Sequence, residues 1–175
     1  MLNKESRAGA YFILICVVIW ALLQLYISGF HPPADVYSLP TPSSTTDPVS
    51  LLPLSIAGMT LTDLETNEYA DAVDAVGTYQ SHISIKITRF KSVGIAYRVM
   101  KGKAHKSGFY LYDDGDYGFH VGTSRDLWIR SFTRDWFIKT VSDQSIFVWH
   151  KCVWVFEVCA PTESLRDDVV QGLNF

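Results

Sequence analysis

Residues 10–30, AYFILICVVIWALLQLYISGF, run for twenty-one positions without a charged side chain, and no later stretch of the chain does the same. At 1.5 Å rise per residue such a run makes a helix of roughly 30 Å, the hydrocarbon thickness of a bilayer. Lipid offers backbone N–H and C=O groups no partner, so the run predicts one N-terminal transmembrane helix. Lys4 and Arg7 precede it, and the next Lys or Arg is Lys86. Short flanks rich in Lys and Arg stay inside, so residues 1–9 are expected in the cytoplasm and everything after the span outside it. A cleaved signal peptide is the competing reading. The run is longer than a signal core, however, and its best exit, Ser28-Gly29, lacks an A-x-A pattern. A retained single-pass anchor in the cell membrane is expected.

Residues 31–53 lose all apolar periodicity and hold six of the seven prolines. Proline fixes φ and removes a donor, which predicts an extended strap. Its default role is a spacer able to hold the folded part tens of ångströms from the bilayer; the sharper alternative is a strap lying along a partner's surface.

From residue 54 to 175 the pattern is that of one α+β domain. A short strand or turn is expected around Gly58, then a short helix over residues 68–76, with acidic residues early in it. Ile83, Ile85 and Ile87 alternate with Ser84, Lys86 and Thr88, the period of a half-buried strand. Val93 to His105 reads as a helix with Ile95, Val99, Tyr97 and Met100 turned inward and Arg98, Lys101 and Lys103 elsewhere. Asp114-Gly115 lies between aromatic runs and predicts a hairpin. Strand material follows over Leu127–Val141, Ser145–Trp149 and Val153–Cys159, with a turn at His150-Lys151. Pro161 ends the last strand, and Thr162 opens a helix carrying Leu165, Val169, Val170 and Leu173. The expected architecture is a mostly antiparallel sheet with two or three helices on one face.

Composition narrows the function by exclusion. Eighteen acidic against fifteen basic residues give net charge −3, no field for nucleic acid. The five tryptophans and nine tyrosines suit a small core first and a docking surface second. Cys152 and Cys159 would stand over 20 Å apart on one straight strand, so free thiols are expected. The histidines show no H-x-x-x-H pair, His150 and Cys152 lack two further donors, and no C-x-x-C-H is present. No metal, haem or other cofactor is expected. His150 is expected on an exposed turn. Asp113, Asp114 and Asp116 lack the spacing of a calcium loop, and no nucleophile elbow or phosphate loop occurs. Glu157, amid Val153 to Val158, is expected at an exposed edge or against Arg130 or Arg134.

The chain therefore reads as a non-catalytic accessory subunit of a membrane protein complex. Its expected partners are integral membrane subunits and the lipid bilayer, with a small-molecule ligand not expected. Respiratory and photosynthetic electron-transfer assemblies are the architectural analogue. The alternative is an anchored extracytoplasmic ligand-binding or sensor module. Partner contacts are expected at Trp20, Gln24, Ser28, Gly29, Tyr37, Trp128 and Trp136. Gln24 is the strongly polar side chain inside the apolar run, while Ser28 and Gly29 allow close helix approach.

Overall fold

A computed structural model describes residues 11, 13–22, 36, 38–107, 117–122, 128–133, 136–141 and 143–175, with side chains undescribed between 117 and 133 and at 140. The chain divides into two units, residues Met1–His31 and Pro32–Phe175. In the first, residues 13–22 form helix α1. The rest of the predicted span lies outside the described residues. Among the described residues, no helix is long and apolar enough to cross a membrane.

The second unit is built on one antiparallel sheet. Its strands are β1 (Ser55–Ile56), β2 (Met59–Tyr69), β3 (Ala72–Tyr79), β4 (Ile83–Phe90), β5 (Tyr117–Gly122), β6 (Trp128–Thr133), β7 (Trp136–Val141), β8 (Gln144–Lys151) and β9 (Trp154–Ala160). Their order is β1-β2-β3-β4-β9-β8-β7-β6-β5. Ala57 and Gly58 both take positive φ, 47° and 76°, in the two-residue turn that joins β1 to β2. That geometry matches the right-handed twist of the strands it links.

Helix α2 (Val93–Lys106) is capped by the Ser92 side chain and α3 (Glu163–Gly172) by that of Thr162. The helices take opposite faces of the sheet, not one face as expected, because both faces carry apolar residues. Below α2 lie Ala72, Phe90, Val155, Val148 and Phe137, closed by Ala96, Met100 and Ala104 of the helix. Two alanines there let the helix sit close to the sheet, while Ile95 and Val99, expected to lead the contact, are only partly buried beside them.

The opposite face is the larger core. Ile83, Ile85 and Ile87 lie on it as predicted, with Tyr79, Trp136, Trp149, Trp154 and Phe156, under Val169, Val170, Leu173 and Phe175. Its aromatic rings form a stacked row: Phe147–Trp149 at 5.0 Å, Trp149–Phe156 at 4.9 Å and Phe156–Phe175 at 5.0 Å between centroids.

The proline-rich stretch helps close this face. Val36 and Leu52 belong to its core. Lys151 Nζ donates to the carbonyls of Val36 and Leu39, Trp154 Nε1 to Pro42 O (3.1 Å), Arg89 to Thr46 O (2.8 Å) and Tyr79 Oη to Pro53 O (2.8 Å). From Val36 onward the strap is held by its own domain, so the reach of a free spacer is left only to residues before it.

Three expectations need correcting. The predicted helix over 68–76 is a hairpin, β2 and β3 paired from Tyr69↔Ala72 to Leu61↔Tyr79. Alanines at 70, 72 and 75 suggested a helix, but Val73, Val76 and Thr78 are β-branched and pack on a pleated surface. The β8–β9 turn falls at Cys152-Val153, not at His150-Lys151, since Lys151 pairs with Trp154. His150 is therefore inside a strand, 8% exposed, with its ring 6.2 Å from that of Tyr97 on α2. Lys151 looked like a turn residue because its charge is spent on strap carbonyls. The hairpin predicted at Asp114-Gly115 lies outside the described residues.

Candidate functional site

Cross-strand register sets a row of charged side chains on the α2 face. Asp74 of β3 pairs with Thr88 of β4, and Lys86, two residues earlier, pairs with Glu157 of β9. Lys86 Nζ lies 2.5 Å from Asp74 Oδ2, and Asn67 Nδ2 donates to Oδ1 of the same carboxylate at 3.0 Å. Lys103 reaches down from α2 to Glu157 Oε2 at 2.7 Å. Glu157 thus finds a base on the helix above, which covers the strand it sits on; the side chains of Arg130 and Arg134, where a partner was expected, lie outside the described residues. Asp74 is 2% exposed with both oxygens engaged, whereas Lys86 is a third exposed.

Between α2 and the β2–β4 end of the sheet is a cleft of about 450 Å³. Phe90, Ile95 and Val99 form an apolar wall; Asp74, Lys86 and Lys103 form a polar floor. The volume falls in the range of small-ligand sites. Chemically, alternating charges that neutralise one another suit positioning of a polar ligand end. Among the described residues, no cluster of His, Cys, Asp or Glu could hold a metal ion.

Cys152 and Cys159 do not line this cleft. Cys16, Cys152 and Cys159 are all free. Burial first, and then the charge of Glu157, push the Cys159 thiol up from its ordinary value, opposed by a hydrogen bond from Ser84 and by Lys139.

Of the residues expected to contact partners, Trp20 is 62% exposed on α1. Gln24, Ser28, Gly29 and Tyr37 lie outside the described residues, and Trp128 is on β6 with its side chain undescribed. Trp136 is 1% exposed and packs 6.0 Å from Phe147, so it fills the core and leaves no surface for a partner. The charged row was missed because Asp74 was assigned to a helix. The signal that could have found it is Ala72-Val73-Asp74-Ala75, a carboxylate at the inward position of an alternating strand.

Compared with protein families, with curated proteins and with solved structures, the chain matches none of them.

Proposed function

We propose that this chain is a non-catalytic accessory subunit of a membrane protein complex, held by one span over residues 10–30 with its folded domain outside the cytoplasm. The observation that carries this reading is α1. Ile13, Leu14, Ile15, Val17, Val18, Ile19, Trp20 and Leu22 are each between 49% and 66% exposed, so the helix is apolar around its whole circumference. Helices of that kind belong in lipid or inside a larger protein. Leaving eight such side chains half in water forfeits on the order of 10 kcal/mol of burial energy.

On this reading the strap restrains the domain. Five residues, 31–35, separate the end of the apolar run from Val36. By contour length alone they reach about 20 Å.

Two measurements test the two halves of the proposal. Washing native membranes at alkaline pH should leave the chain in the pellet; its release would remove the span. In mild detergent it should migrate as one species far above its 19.7 kDa mass. Migration as a free monomer would refute the accessory role.

A ligand-binding module is the second reading, favoured by the cleft below α2. It predicts that filling the cleft with Val99→Trp abolishes ligand-induced thermal stabilisation while the chain stays in its assembly.

A further inference from the structure

Strand β2 is the feature that neither the core nor the cleft accounts for. It is 11 residues long, about twice the usual strand, and residues 62–69 are all exposed. One side of it pairs with β3. On the other side β1 covers only Met59 and Thr60, and the Leu61 N–H donates to Leu54 O. The Leu64 N–H is met by Oδ1 of Asp63 at 2.9 Å. Beyond Leu64 no bond is made on that outer side among the described residues. A row of backbone donors and acceptors is left open over Glu65 to Tyr69.

Proteins usually blunt such an edge with lysine, proline, a bulge or a short strand. β2 has no lysine and no proline, and its irregularity lies between Leu61 and Asp63, before the open stretch. Its charges are all of one sign: Asp63, Glu65 and Glu68, with no Lys or Arg between Leu61 and Lys86. Register divides them. Asp63 and Glu65 share a face with Thr78 and Val76, whereas Leu64 and Thr66 share the other with Gly77 and Ala75, where Glu68 follows opposite Val73 next to the hairpin turn.

We infer that the outer edge of β2 takes an added strand from a partner: an extended segment that alternates basic and apolar residues. Main-chain pairing along the open edge supplies affinity, and alternate side chains supply selection. The basic residues of the incoming strand stand opposite Glu65 and diagonal to Asp63, and its apolar residues stand beside Thr66 and Leu64. A second copy of this chain is the poorer occupant. Antiparallel registers centred on β2 set carboxylates opposite or diagonal to carboxylates, which opposes pairing.

The inference deepens the accessory-subunit reading by naming a docking surface, yet its test does not need the complex. The full chain is placed in nanodiscs of zwitterionic phosphatidylcholine, so that lipid does not attract the probe. The probe is a fluorescent seven-residue peptide of alternating valine and lysine. Saturable binding is expected, weakened about tenfold by Asp63→Lys with Glu65→Lys, one opposite and one diagonal pair being turned repulsive. An alternating valine–glutamate peptide should bind that double variant, which also shows that the variant is folded. A valine–lysine peptide N-methylated on one edge should lose binding to the unaltered chain. Absence of saturable binding overturns the inference, as does equal binding of the N-methylated peptide, which would mean adsorption by charge alone. Self-association that the double charge reversal abolishes overturns it in favour of a second copy. Failure of peptide binding with the chain still in a large assembly refutes the docking edge and leaves the accessory role standing.

Discussion

Tyr79 offers a sharp test of how the strap is held. Its ring is 2% exposed and its hydroxyl donates to Pro53 O at 2.8 Å. Burial pushes its pKa up from 10.0 to about 12. A phenol whose pKa is raised by folding favours the native state while protonated. That contribution is fully present below pH 10 and is lost as pH rises through 12. Two pKa units correspond to about 2.7 kcal/mol. Tyr79→Phe keeps the ring, removes the titration and loses one hydrogen bond, a cost of about 1 kcal/mol near neutrality. The wild-type chain should therefore be more stable than the variant by about 1 kcal/mol at pH 8. The order should reverse at about pH 10.7, where ionisation has cost the wild type the same amount. Urea unfolding of both chains at half-unit steps from pH 8 to 11.5 measures the difference, in which every other titrating group cancels. A stability difference that stays constant across that range would refute the reasoning.

Other outcomes follow from particular contacts. Asp74→Ala strips Lys86 and Asn67 of their shared acceptor; since Lys86 can turn partly to water, a loss of about 2 kcal/mol in urea unfolding is expected. Gly77→Ala would set a Cβ 3.0 Å from Leu61 Cδ1, 3.1 Å from Tyr79 Cε2 and 3.3 Å from Leu52 Cδ2. Overpacking there should cost about 1 kcal/mol and show as a lowered melting temperature. At pH 8, iodoacetamide followed by mass spectrometry should label exposed Cys152 at least about tenfold faster than Cys159, which is buried with its thiol pKa raised. Lys151→Met removes the donor to the Val36 and Leu39 carbonyls, so proteinase K should cut sooner between residues 36 and 46.

Elements with a clean period were legible in the sequence. Ile83, Ile85 and Ile87 announced β4 because one face is buried; Thr162 announced the last helix start by its capping chemistry. The 59–79 hairpin was hidden because β2 buries almost nothing, so its residues show no alternation to read, and alanine favours helix whatever its neighbours require. The charged row was hidden for a different reason. Asp74, Lys86, Lys103 and Glu157 are far apart in sequence and meet only through register and helix docking. The strap's attachment depends on Lys151 and Trp154, more than 110 residues beyond the carbonyls they hold, and no local pattern reports such a pairing.

That separation has a consequence for how the protein is made. At about 5–20 residues per second, Lys151 leaves the ribosome roughly 6–20 s after Val36. Until the final hairpin arrives, the strap can grip only Arg89 and Tyr79, and β4 has β3 on one side but no β9 on the other and no α3 above its isoleucine face. The first half of the domain must wait in an open, sticky state, and closure comes as one late, long-range event of the kind that folds slowly. Quality control of this protein is thus concentrated in its last thirty residues, because a defect there removes β9 and α3 from the larger core.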